Sequence, residues 1–183
     1  VVIAGAVDLA GGERSAILSP CKRYRYELRR VWDGVKPRLY VGGLNPSKAD
    51  AEVDDLTVTK LCGFASRLGL GGIVVWNLYA YRATDPRDLW RAELERVDIV
   101  GPNNARYLER IFDEVAGDRG ARLVAAWGEH RNAERVEAVL DLMDWHRGCL
   151  ERLECWGTTK AGAPRHPSRI AYATPLVRWP VPV

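Results

Sequence analysis

Few histidines, few cysteines and no long apolar run narrow what this chain can be. Histidine occurs three times, at His130, His146 and His166, and the four cysteines, Cys21, Cys62, Cys149 and Cys155, include no CxxC pair. Zinc sites draw on Cys and His at short, fixed spacings, so neither a structural zinc site nor a disulfide framework is expected. Cys62 falls in an expected helix and Cys155 in an expected strand, which fits buried free thiols in a cytoplasmic protein. No apolar run approaches the ~20 residues that cross a bilayer. Residues 1–10 lack the basic start of a signal peptide, and the chain opens at Val1 rather than Met, as expected after N-terminal trimming. A dominant charge is missing too: 27 Lys and Arg against 24 Asp and Glu leave a net charge of +3. Such a balance tolerates a polyanionic partner without requiring one.

What is present suits one globular domain over residues 1–183, with 47% hydrophobic and 28% charged residues. Val2 to Ala6 has the makings of a short strand. Arg23 to Arg30 alternates charged with apolar side chains, the pattern of a half-exposed edge strand whose cations either meet phosphate or only solvent. Leu39 to Leu44 is a short apolar strand that runs into Gly42-Gly43-Leu44-Asn45-Pro46-Ser47-Lys48-Ala49-Asp50. There the glycines permit close approach and Pro46 holds Asn45 extended.

Asp54 or Asp55 then caps a helix with Leu61, Phe64, Ala65 and Leu68 on one face, stopped by Gly69. Ile73 to Trp76 is apolar at consecutive positions, which marks a strand covered on both faces, and it ends in Asn77. Helices are expected over 88–96, along the stripe Leu108, Ile111, Phe112 and Val115, and along Val136, Val139, Leu140 and Met143. Strands are expected over 123–127 and 152–156. A polar loop at 157–169 precedes a proline-rich tail expected to strap the surface.

Alternating strands and helices with short connections predict a three-layer α/β/α fold around a central, mainly parallel four-stranded sheet. In such a sheet the strand C-termini share one rim, where ligands bind. Asn45, Asn77, the turn 128–130 and the loop 160–169 would gather there. Trp76, Trp127 and Trp156 are expected in the core, with His130 and His146 at the surface. Tyr79 and Tyr81, which follow a strand into its loop, are the candidates for stacking on a base.

At this point the chain resembles a known superfamily. Gly43-Leu44-Asn45-Pro46-Ser47 is similar to the first motif of uracil-DNA glycosylases, whose forms include GQDPY and, in the mismatch-specific branch, GINPG. Val74-Val75-Trp76-Asn77 resembles the strand that ends in the base-reading asparagine. Ala126-Trp127-Gly128 resembles the LWG turn, and Arg165-His166-Pro167-Ser168 the late HPS motif. At closer range NPSKAD, NLYAYRATDP, GPNN, AWG and TKAGAPRHP are similar to a bacterial and phage family known as a domain of unknown function, a likeness that supplies no activity.

The superfamily resemblance implies a uracil-DNA-glycosylase-like fold and a monofunctional, metal-independent DNA glycosylase that uses no cofactor. Such an enzyme flips a nucleotide out of the stack and reads its base in a pocket. Asn77 would bind the O4 and N3–H of a uracil-like ring, since its amide both donates and accepts. His166 would donate to O2 as charge develops, and Asn45 would hold the attacking water, with Asp50 or Asp54 as alternative bases. Leu44 and Tyr79 would complete the base pocket. Ser47 stands where the uracil-specific branch has a tyrosine beside C5, so a 5-substituent such as a methyl or hydroxymethyl group would fit. Lys160, Arg165, Ser168, Arg169 and Arg82 would hold DNA through its phosphates. The expected partner is DNA containing a modified pyrimidine, bound by a monomer and away from any membrane. Two other readings stay open: a hydrolase or transferase of free nucleosides or nucleotides, and a non-catalytic module that binds modified bases.

Overall fold

The computed structural model describes residues 2–7, 12–129, 132–146 and 148–181. His130 lies outside the described residues. The consecutive apolar positions of the sequence become β4 (Leu39–Gly43) and β5 (Gly72–Asn77), joined by β6 (Arg122–Ala125) and β7 (Leu153–Cys155). These four are mutually parallel, in the spatial order β5-β4-β6-β7. Both of their faces are covered, which is why they show no polar alternation.

The expected four-stranded sheet is too small. β1 (Val2–Val7), β2 (Glu13–Leu18) and β3 (Arg25–Val31) extend it antiparallel at one side, and β8 (Val177–Arg178) at the other. The result is a mixed eight-stranded sheet in an α/β fold. Nor is β3 an edge strand, because β2 and β5 flank it. Beyond the local Glu27–Arg29 pair, its charges meet partners far away in sequence: Glu27 pairs with Arg110, Arg29 with Glu114, and Arg30 with Asp54. Local alternation cannot reveal partners that distant.

Side-chain alternation along the strands makes two cores. On one face Leu39, Val41, Ile73 and Val75 pack against α1 (Leu56–Arg67) through Val58, Leu61 and Phe64. On the other, Tyr40, Val74, Trp76 and Leu123 meet α2 (Pro86–Leu94), α3 (Asn104–Gly117) and α4 (Ala133–Asp144). The three-layer arrangement follows from that split. Asp55, not Asp54, caps α1, accepting from Val58 N at 2.9 Å. Leu68, expected on the buried stripe, is instead its exposed C-cap residue. Trp76, Trp127 and Trp156 are all buried, as expected. His146 is not a free surface residue: its Nδ1 lies 2.9 Å from Asp113 and its ring packs against Phe112. Cys155 and Cys149 are buried free thiols, Cys62 is half-buried, and Cys21 is exposed. In the tail, Trp179 stacks edge-on to Trp127 and ties the strap to the core.

No helix among the described residues is long and apolar enough to cross a membrane.

Candidate functional site

The parallel strands end at a common rim, and a cavity of about 970 Å³ opens there. That is near the upper end for small-molecule sites, which run from about 300 to 1,000 Å³. Eight of the side chains singled out from sequence line it: Leu44, Asn45, Ser47, Asn77, Arg165, His166, Ser168 and Arg169.

The two glycines before the Asn-Pro turn explain how the floor is built. Gly42 lies beside Trp76 across the parallel pair, and a Cβ there would overlap the indole ring. A Cβ at Gly43 would lie 2.8 Å from Asn77 Oδ1. What approaches the glycines is therefore the neighbouring strand's own side chains, and the absent Cβ atoms make room for Asn77 to stand at the strand end. Leu78 N and Tyr79 N bond to the carbonyls of Gly43 and Leu44, carrying the register past the last paired residue.

Asn77 is 3% exposed and its Nδ2 has no hydrogen-bond partner. Buried amide nitrogens are nearly always satisfied, so an orphan on a cavity-lining residue marks a donor that the described residues leave unused. Its backbone is fixed from behind, where Asn104 Nδ2 donates to the carbonyls of Asn77 and Leu78 at 3.2 and 3.0 Å.

Asn45 is arranged differently. Its Nδ2 donates to the carbonyls of Ala83 at 2.7 Å, Pro46 at 3.1 Å and Tyr81 at 3.5 Å. With the nitrogen used up, Oδ1 is left as the group the side chain offers to the cavity, and it is an acceptor only.

His166 sits on the loop after β7, which is held to the rim by the bond from Gly128 N to Pro164 O. Its Nδ1 lies 3.0 Å from Ser168 Oγ and accepts from Ser168 N at 3.4 Å. Accepting at Nδ1 puts the proton of the neutral ring on Nε2. Burial in the cavity wall lowers its pKa below the ordinary value, with Asp55 pulling weakly the other way. The residue still keeps an exposed edge at the mouth.

Other expected members stand elsewhere. Tyr79 is buried against Trp90, in the core that also holds Trp76 and Leu78. Tyr81 packs edge-on against Tyr24. Asp50 accepts from the backbone of Glu52 and Val53, and Asp54 pairs with Arg30 and Arg14, so neither lines the cavity. Arg82 reaches back to the carbonyls of Ser47, Lys48 and Lys22, so it braces the motif turn from outside. Lys160 is exposed away from the lining.

Two further lining residues were legible in sequence only in other or broader roles. Asp55 reaches the wall from its capping position. Arg25, part of a strand whose cations the sequence leaves between phosphate and solvent, is buried in the wall, with Nη1 2.7 Å from the Ala49 carbonyl. Arg25, Lys48, Arg165 and Arg169 face Asp55 and Glu129 around the cavity, an excess of positive charge. Among the described residues no three His, Cys, Asp or Glu side chains gather as metal ligands.

Comparison with curated proteins and with solved structures found no match. A family model described as "Protein of unknown function (DUF1643)" matches residues 25–168, from the cavity arginine to the serine that holds His166. With most of its length matched, the chain belongs to the DUF1643 family.

Proposed function

We propose that this protein is a monofunctional DNA glycosylase, with a uracil-DNA-glycosylase-like site, acting on a flipped, 5-substituted uracil. The observation that carries this reading is the orphan amide of Asn77, a buried donor and acceptor on one side chain at a strand end in the wall of the rim cavity. A pyrimidine edge with adjacent O4 and N3–H matches that pair.

The chemistry then divides among the three polar groups. The C1′–N1 bond breaks with its electron pair on the base, and the negative charge spreads towards O2. His166, neutral with Nε2–H free, donates to that oxygen. One such donor is typically worth about 100- to 1,000-fold in rate. Asn45 Oδ1 accepts from the water that adds to C1′. In net terms water supplies a hydroxyl to the sugar and a proton to the base, leaving an abasic site. An amide positions water but takes no proton, so turnover is slow. Ser47 leaves the space beside C5 open. Leu56, 88% exposed on the cavity rim, is placed to fill the gap left by an extruded base. Arg165, Arg169 and Lys48 would meet the phosphates.

The test uses oligonucleotides carrying uracil, 5-hydroxymethyluracil or a thymine mismatch, cleaved with alkali after incubation. Alkali-labile sites with the 5-substituted base, lost in Asn77→Ala, support the proposal. Base release from free nucleosides alone, or binding without release, replaces it with one of the other two readings.

A further inference from the structure

Arg25 is a cation in the cavity wall that no carboxylate among the described residues pairs with. It is buried, and it takes part in no ion pair among the described residues. Among the described residues one hydrogen bond holds the guanidinium, from Nη1 to the Ala49 carbonyl, and the buried Nε has no partner. Arginine has five N–H donors in a planar fork suited to a carboxylate or phosphate. Leaving such a charge desolvated and unpaired opposes folding, and a ligand that brings the counter-charge removes the penalty. Burial brings its pKa down to about 10, with Asp55 and Asp50 opposing and Arg82 and Arg30 assisting, so it stays charged at neutral pH.

Its position says where that charge would act. The backbone of Arg25 is pinned by its N–H to the Ala80 carbonyl at 2.9 Å, just past the end of β5. The side chain then runs to Ala49, two residues beyond Ser47 in the turn that lines the cavity. The guanidinium therefore lies on the Ser47 side of the site, together with Lys48.

We propose that Arg25 forms an oxyanion subsite beside Ser47, and that the substrate presents a carboxylate- or phosphate-type group to it. This rests on the base-excision reading for the placement of the base. Two sources share that chemistry: an anionic substituent on C5, or a phosphate of the nucleotide itself.

Calorimetric titration of the intact protein separates them. The probes are uracil against 5-carboxyuracil, and deoxyuridine against deoxyuridine 5′-monophosphate. A charge-assisted, bidentate contact gives the anionic member of a pair about a ten-fold or larger advantage. An advantage in the first pair puts the anion on C5; one in the second puts it on the nucleotide phosphate. Arg25→Gln is expected to abolish the advantage and Arg25→Lys to restore part of it. If Arg25→Gln does not fold, the wild-type preference and Arg25→Lys decide. Equal affinities within both pairs, no binding by any probe, or a preference that survives in Arg25→Gln would each overturn the subsite. Excision is scored separately on oligonucleotides. Excision without an anion preference keeps the glycosylase and removes the subsite, whereas a preference without excision does the reverse.

Discussion

The two ends of β3 carry the same residue type in opposite circumstances. Arg25 and Arg30 are each 3% exposed. Arg30 is saturated: Nε meets Asp54 at 2.8 Å, Nη1 meets the Arg29 carbonyl at 2.7 Å, and Nη2 meets both Asp54 and the Asp50 carbonyl. Arg25, five residues earlier, has one carbonyl and, among the described residues, no carboxylate at ion-pair distance. The saturated arginine has its work done within the fold, tying β3 to the segment before α1. The unsaturated one faces a cavity. Burial is common to both arginines; the lack of an ion pair among the described residues is what sets Arg25 apart.

Stability should separate the two most strongly. Arg30→Met leaves the part-exposed Asp54 with Arg14 alone and removes the donor to the Ser15, Arg29 and Asp50 carbonyls, a loss of about 1–3 kcal/mol. Arg25→Met removes an uncompensated charge, so chemical denaturation should show a change within about 1 kcal/mol, or a gain. If both variants lost stability equally, the distinction between the ends of β3 would collapse.

His166→Ala should lower excision by about 100- to 1,000-fold with little change in melting temperature, since its bonds are local to the loop. The pH dependence has a definite sign. The folded pKa lies below the ordinary 6.5, so the neutral ring and its contribution persist above that value. They are lost as pH falls through the lowered value, when protonation of Nδ1 displaces the Ser168 N–H. A rate that is flat above pH 6.5 and falls below it in wild type, with that fall absent from the residual rate of His166→Ala, is the expected profile. A rate rising towards acid would contradict it.

Ser47→Tyr fills the space beside C5 and should move the preference from 5-hydroxymethyluracil towards uracil by about ten-fold, a typical worth for a pocket steric change. An unchanged ratio would place C5 elsewhere. The smallest effect is expected of Leu56→Ala. It should slow excision from duplex several-fold and leave single-stranded substrate unaffected, because only duplex needs a wedge. Equal loss on both would remove that role.

The same contrast shows what the sequence could disclose. Runs such as Ile73-Val74-Val75-Trp76 are buried on both faces whatever lies far away, so the parallel strands and the helices that cover them were readable locally. So was the gathering of Asn45, Asn77 and His166, because parallel strands must end at one rim. The character of β3 was not readable. Its alternating charges fit a solvated edge equally well, and Glu114, Arg110 and Asp54 reach it from 24 to 85 residues away. β2 went unseen because Glu13 to Leu18 is short and mixed. Tyr79 was misplaced for a related reason: it looked like the first residue of a loop, yet its N–H still bonds to Leu44 and directs the ring into the core. Arg25 lacked any local signature, since a missing partner can only be noticed once the surroundings are known.

The most direct measurement is the rate of base release from one duplex oligonucleotide carrying 5-hydroxymethyluracil, by wild type and by Asn77→Ala. The account predicts alkali-labile sites at the modified base with wild type, and a loss of about 100-fold or more in a variant that folds normally, since the Asn77 amide nitrogen bonds to nothing among the described residues. No release by wild type from any 5-substituted substrate, or full release by Asn77→Ala, would contradict it.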